Sequence, residues 1–188
     1  MISRRCFLER AAAVAVTTAG AAVCLPSVSA VPPLERKGKA QLRLSLAAYS
    51  FRDFFNAKEA ARRITLENFI DFCADHGCVG TELTSYYFPK EFGNDYLVGL
   101  KRHAFLRGLA ISGTAVGNNF AQPDGPDLDR EIASVKRWID HASVMGAPHI
   151  RVFAGAPKGI DLSTAKRQCV RALEECGAYA GEKGIWLG

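Results

Sequence analysis

Two ionisable side chains lie inside short apolar runs, where an uncompensated charge needs an explanation. Glu82 occurs within residues 78–84 (CVGTELT), and Arg151 occurs within residues 149–154 (HIRVFA). Because an unpaired carboxylate is costly to bury, Glu82 is either a proton-transfer or ligand-binding group or the partner of Arg151 in a structural ion pair. Arg151 has the same two interpretations, since a guanidinium suits the hydroxyl or phosphate oxygens of a ligand.

Aromatic and amide side chains follow similar apolar runs and could complete a ligand pocket. Tyr49 could stack on a ligand or simply fill space at the open end of the predicted fold. Asn118 and Asn119 follow a glycine, so the geometry of a loop would explain their presence equally well. The catalytic candidate is Glu82, and the substrate-binding candidates are Tyr49, Asn118, Asn119, Arg151 and Phe153.

The cysteines and histidines give no metal-binding pattern. The sequence has no C-x-x-C pair and no Cys/His cluster with zinc spacing. Beyond residue 30 the cysteines are interpreted as small buried hydrophobes, and those at 169 and 176 are too far apart on one helix to pair with each other. None of these cysteines and histidines is therefore assigned as a metal ligand.

Alternating strand-like and helix-like segments begin at residue 42 and must position these side chains. The repeats predict an α/β fold with a parallel sheet. A doubly wound sheet and a barrel both fit, but no G-x-G-x-x-G follows the first strand, which weakens a dinucleotide-binding fold. The predicted strands are residues 42–51, 78–84, 109–116, 149–154 and 184–188, and the predicted helices are 65–76, 96–107, 127–145 and 161–183.

Helical periodicity predicts which residues form the core. In the first long helix Thr65 is a good N-cap and Gly77 a good stop signal. The predicted inward positions of the first two helices are Leu66, Phe69, Ile70 and Cys73, then Leu97, Leu100, Ala104 and Phe105.

The segments amount to about four and a half βα units, whereas a closed barrel needs eight units and typically about 250 residues. If the fold is a barrel, residues 42–188 are therefore part of a (β/α)8 TIM barrel rather than a closed one. We expect a truncated chain, because a terminal apolar strand would leave an open edge.

Residues 1–30 have the features of a twin-arginine signal peptide. Arg4 and Arg5 precede Phe-Leu, an apolar run of about 15 residues follows, and small residues precede Ala30. A membrane anchor would need roughly 20 apolar residues. We expect export through the twin-arginine machinery to a periplasmic or other extracytoplasmic location, with cleavage near Ala30 and residues 31–41 as a linker.

The charge distribution argues against nucleic acid as a partner. The formal net charge is +5, and the basic residues alternate with acids along the chain. A nucleic-acid-binding domain would show a concentrated basic patch.

Four short motifs at the predicted strands resemble those of the sugar phosphate isomerase/epimerase family, which has the xylose isomerase-like TIM barrel. The resemblance covers residues 42–188, and its motifs occur in the order that the family has. The motifs are residues 45–52 (SLAAYSFR), 80–89 (GTELTSYYFP), 111–120 (ISGTAVGNNF) and 149–155 (HIRVFAG).

The resemblance implies metal-assisted proton transfer at a carbon next to the carbonyl of a small-molecule sugar or sugar derivative. A divalent metal (Mn, Mg, Zn or Co) is expected for the complete family enzyme, where it stabilises the enediolate charge. The family's metal ligands belong to later strands, so this chain is expected to bind no metal and to be inactive alone. The alternatives are a non-catalytic half-barrel or assembly partner and a metal-dependent endonuclease-like barrel, which the few histidines at strand ends disfavour.

Overall fold

Five parallel strands lie side by side in the order in which they occur in the chain. The computed structural model describes residues 38–39 and 41–188, so the predicted signal peptide and most of the predicted linker lie outside the described residues. The strands are β1 (Ser45–Ala47), β2 (Gly80–Thr84), β3 (Ala110–Ala115), β4 (His149–Arg151) and β5 (Trp186–Leu187).

Helices connect these strands, and four of those described have ten or more residues. Because β–α–β crossovers are right-handed, a strand order that never reverses places these helices on one side of the sheet, and consecutive helices pack against each other. A doubly wound sheet would reverse its strand order. The helices are α1 (Arg52–Phe55), α2 (Leu66–Asp75), α3 (Asn94–Leu106), α4 (Pro126–Met145) and α5 (Leu162–Glu182), with 3-10 turns at Ala48–Phe51, Ala60–Arg62 and Ser85–Tyr87.

The prediction of an α/β fold with part of a TIM barrel is thus confirmed by the sheet, which has the helices on one side and strands in sequential order. Within the residues that the structure describes, no helix is long and apolar enough to cross a membrane.

The core lies between the helices and the outer face of the sheet. All four predicted inward residues of α2 are fully buried, as are Leu97 and, nearly so, Leu100 and Ala104 of α3. The prediction for Phe105 is wrong, since this ring is 78% exposed. Each helical residue rotates by about 100°, so Phe105 points away from the face that Ala104 shares with the core.

Several strands are shorter than their apolar runs predict. The first predicted strand was residues 42–51, but only Ser45–Ala47 pairs with β2, and the chain then turns into a 3-10 helix. Leu42 and Leu44 are exposed. Composition marks an apolar run, whereas the length of a strand depends on the backbone partners that its neighbour offers.

The four long helices end in the same backbone motif. At the end of α2 the Cys78 N–H donates to the Cys73 carbonyl (2.9 Å) and the Gly77 N–H donates to the Ala74 carbonyl (3.1 Å). Gly77 has φ of 74°, the left-handed conformation that this Schellman motif requires. The equivalent outer bonds close α3, α4 and α5 from Leu109 to Ala104, Ala147 to Ala142 and Ile185 to Ala180.

Candidate functional site

A cleft of about 540 Å³ opens at the carboxyl ends of β1, β2 and β4. This end of a parallel barrel sheet is where active sites occur. A groove of about 650 Å³ lies near the amino ends of β3 and β4, but its lining is mainly apolar and is not at the end where catalysis is expected. The residues lining the strand-end cleft are Ala47, Tyr49, Ser50, Glu82, Tyr86, Arg151 and Phe153.

Strand alternation explains why Glu82 faces this cleft. The preceding residue, Thr81, is fully buried, and its hydroxyl accepts a hydrogen bond from the Cys73 thiol of α2 (3.7 Å). Thr81 therefore faces the helices. Because successive strand residues point to opposite faces, Glu82 lies on the inner face, where it is half-buried.

An irregularity in the pairing of β2 with β3 lies directly beside Glu82. Thr81 pairs with Ile111, but Glu82 pairs with Gly113, so Ser112 is an extra residue in β3. Such bulges bend a strand locally and often occur beside active sites, where they redirect side chains.

Two tyrosines form one wall of the cleft. The rings of Tyr49 and Tyr86 meet edge to face with their centroids 6.3 Å apart. The Tyr86 ring packs on the backbone of Gly117, where a Cβ atom would lie 2.7 Å from the ring and its hydroxyl oxygen. The Tyr49 ring also has a cationic neighbour, since the Arg52 guanidinium lies 5.6 Å from its centroid. These contacts hold two amphipathic rings in place while leaving each about half exposed.

Arg151 and Phe153 form the opposite wall. The guanidinium carbon of Arg151 lies 4.7 Å from the Phe153 ring centroid, within the range of a cation–π contact. The Asn118 side chain holds the Phe153 backbone at two points: its amide N–H donates to the Phe153 carbonyl (2.6 Å), and its oxygen accepts from the Phe153 N–H (2.8 Å). Asn118 therefore acts on the cleft through Phe153.

Asn119 organises the neighbouring loop. Its side-chain N–H donates to the Ala156 carbonyl (3.0 Å), and its oxygen accepts from the Ala121 N–H (2.9 Å). A Cβ atom on Gly155, whose φ is 96°, would lie 1.9 Å from that same oxygen. The structure thus places both asparagines beside the cleft rather than in its lining.

The remaining four candidates, Tyr49, Glu82, Arg151 and Phe153, line one cleft. The ion-pair interpretation of Glu82 is not what the structure shows, because no ion pair among residues 41–188 joins it to Arg151. Sequence reasoning missed Tyr86 as a lining residue. It comes two residues after β2, so the rule that selects strand ends could have found it.

A divalent cation does not fit the residues of this region. Among the described residues, no three His, Cys, Asp or Glu side chains come together as a metal site. Glu82 is the one carboxylate in the lining of the strand-end cleft. We therefore assign no metal ligand, and the chemistry below is limited to what these side chains do.

Comparison with known proteins places this arrangement in a family context. The family model described as xylose isomerase-like TIM barrel matches residues 70–188. No curated protein matches the chain. Among solved structures, a protein from Sinorhizobium meliloti 1021 is 21% identical and has a TM-score of 0.62, with 77% of this chain and 49% of that chain covered.

Two sugar epimerases are also similar in structure. D-psicose 3-epimerase, solved in the presence of D-fructose, is 15% identical with a TM-score of 0.64, over 78% of this chain and 51% of that one. D-psicose 3-epimerase from Clostridium cellulolyticum H10, solved with D-tagatose, is 14% identical with a TM-score of 0.61, over the same shares of 78% and 51%. At such identities the likeness shows the fold, and the chain spans about half the length of these structures.

Proposed function

The chain belongs to the xylose isomerase-like TIM barrel family, and from this premise we propose that its strand-end cleft binds a sugar or sugar derivative for an isomerase or epimerase reaction. The observation that carries the proposal is one carboxylate between a tyrosine wall and an arginine–phenylalanine wall. The reaction class is proton transfer at a carbon next to a carbonyl.

Each wall of the cleft suits a different part of a sugar. Tyr49, Tyr86 and Phe153 offer apolar ring faces to C–H groups, and the two tyrosine hydroxyls provide a polar rim. Arg151 offers several N–H donors in fixed geometry to hydroxyl or carbonyl oxygens. Glu82 accepts hydrogen bonds from hydroxyls or takes up a proton from carbon.

We propose that binding and turnover are separable in this chain. The described residues bring together no set of cation ligands, so the 188-residue chain is proposed to bind a sugar without metal-assisted isomerisation. In the whole family enzyme a divalent cation would supply stabilisation of the enediolate charge. Arg151 and the tyrosine wall would orient the sugar so that its reacting carbon faces Glu82.

Isothermal titration with D-fructose, D-psicose and D-tagatose tests the cleft. We expect the 188-residue chain to bind at least one ketose, and we expect Glu82→Gln to weaken that binding about tenfold, equivalent to about 1.4 kcal/mol. The substitution keeps the shape of the side chain but removes its charge. Glu174→Gln, at an exposed position of α5, is the matched control and should bind like the parent chain.

Two outcomes would contradict the proposal. One is that the parent chain binds none of the three ketoses, and the other is that Glu82→Gln binds as tightly as the parent. Incubating the chain with each ketose and Mn²⁺ tests the second part, and the appearance of an epimer at enzymatic rates would overturn it.

We also propose that the chain is exported with cleavage near Ala30. The support is the order of paired arginines, apolar run and small residues in the sequence.

A further inference from the structure

The helix-closing motif joins two specific residues at each helix end through a backbone hydrogen bond. In a Schellman motif the residue three positions from the helix end and the second residue beyond the cap commonly make an apolar contact. At three of the four ends both positions hold buried apolar residues, in the pairs Ala104–Leu109, Ala142–Ala147 and Ala180–Ile185. At the end of α2 the corresponding pair is Cys73 and Cys78.

The two thiols differ in how accessible they are. Cys73 is fully buried, and its thiol donates to the Thr81 hydroxyl. Burial, together with the neighbouring Cys78 thiol, raises the pKa of Cys73 to about 11. Cys78 is half-buried, so a reagent in solution reaches Cys78 first.

We propose that Cys73 and Cys78 form an intramolecular disulfide when the folded chain meets a disulfide oxidant such as oxidised glutathione. The Cys78 thiolate attacks one sulfur of the oxidant and forms a mixed disulfide, releasing one glutathione thiolate. The Cys73 thiol then loses its proton and attacks the Cys78 sulfur, releasing the second glutathione. The two protein thiols are oxidised, and the oxidant disulfide is reduced to two thiols.

The other described cysteines lack this arrangement. Cys169 and Cys176 both lie on α5, seven residues apart, which is about 10 Å along a helix. That separation exceeds the Cα–Cα range of a disulfide. The disulfide would form whether or not the strand-end cleft binds a sugar.

The disulfide would tie a helix end to the strand that carries Glu82. Cys73 is in α2, Cys78 lies two residues before β2, and Glu82 follows four residues later. Formation of the disulfide would add a covalent link beside the existing hydrogen bond from the Cys78 N–H to the Cys73 carbonyl. The Cys73 thiol would then no longer donate a hydrogen bond to Thr81.

Peptide mapping of the full 188-residue chain tests the disulfide directly. The chain is reduced, freed of reductant, incubated with oxidised glutathione, alkylated in denaturant and digested with trypsin. Residues 64–90 contain no internal Lys or Arg, so Cys73 and Cys78 fall on one peptide, while Cys169 and Cys176 fall on two others. We expect peptide 64–90 to be unlabelled and lighter by two hydrogens, with the other two peptides fully alkylated.

Alkylation of both Cys73 and Cys78 after oxidation, or glutathione retained on Cys78 in the parent chain, would overturn the inference. Cys73→Ala tests the second step, because Cys78 should then keep its glutathione when the resolving thiol is missing. Cys169→Ala is the matched control and should form the disulfide like the parent. Loss of glutathione from Cys73→Ala as fast as from the parent would count against the resolving role of Cys73.

Discussion

A close contact between Gly113 and His149 on the inner face of the sheet leaves no room for a side chain at position 113. Gly113, the partner of Glu82 across the strands, lies against the ring of His149 from the neighbouring strand. A Cβ atom at Gly113 would lie 2.3 Å from Cε1 of that ring. The backbone conformation of Gly113 is not left-handed, so the requirement for glycine is steric.

Gly113→Ala should therefore destabilise the chain by about 1–3 kcal/mol, the cost of forcing an extra methyl group into a packed site. In a His149→Ala background the added cost should fall below about 1 kcal/mol, because the ring that causes the clash is absent. Urea unfolding of the parent chain, the two single variants and the double variant measures this coupling.

Gly99→Ala is the control for the glycine substitution itself. Gly99 is in α3, and open space surrounds its Cβ position. Because alanine favours a helix over glycine by about 1 kcal/mol, this change should stabilise the chain. An equal cost for Gly113→Ala with and without His149 would mean that the ring is not the reason for the glycine.

How far single residues could be predicted depended on whether their partners are near in sequence. Glu82 and Arg151 are conspicuous as charges in apolar runs, and both line the cleft. The two hydrogen bonds between the Asn118 side chain and the Phe153 backbone join residues 35 positions apart, and no local sequence pattern predicts them. The ligand roles of all six candidate residues stay predictions.

Helix ends are where local sequence is most informative at the level of elements. The boundaries of α2 to α5 lie within two residues of their predicted positions, because caps and stop glycines are local signals. The predicted strand ends were less accurate, because strand pairing joins segments that are far apart in sequence: residues 149–154 and 184–188 were predicted, whereas β4 is His149–Arg151 and β5 is Trp186–Leu187.

The N-terminus of α5 gives a pH-dependent prediction. The Asp161 carboxylate accepts hydrogen bonds from the Ser163 and Thr164 hydroxyls and backbone N–H groups, which lower the pKa of Asp161 well below its ordinary value of 3.8. A lowered folded pKa means that the carboxylate stabilises the fold above pH 3.8, and that this stabilisation is lost as the pH falls toward the folded pKa.

Asp161→Asn keeps a good capping side chain but removes the titrating charge. We expect the parent chain to be more stable than the variant at neutral pH and the difference to shrink below about pH 4. Urea unfolding of both chains across this range measures the difference. A difference that stays constant with pH would contradict the role given to the charge.

For the whole molecule, periodicity predicted a parallel α/β fold, because repeated strand–helix units leave few alternatives. It did not decide between a barrel and a doubly wound sheet. That choice depends on the spatial order of the strands, which is a tertiary property and is set by how each crossover packs. The sequential order of β1 to β5 decides it.

The proposed export concerns the chain as a whole. Replacing Arg4 and Arg5 together by lysine should leave most of the precursor unprocessed in the cytoplasm, because the paired arginines are the recognised signal. Cell fractionation with N-terminal sequencing measures this in a bacterium that has the twin-arginine machinery. Arg10→Lys is the control, and normal processing to a form starting near Val31 is expected for it. Equal processing of the double variant would contradict the proposal.

The repeated helix-closing motif also bears on how such a chain can change length during evolution. Its outer bond spans the same five-residue step at all four helix ends, whereas the connections from strand to following helix differ in length. The larger differences in length between successive units therefore fall at the cleft-bearing end, where the candidate pocket residues lie.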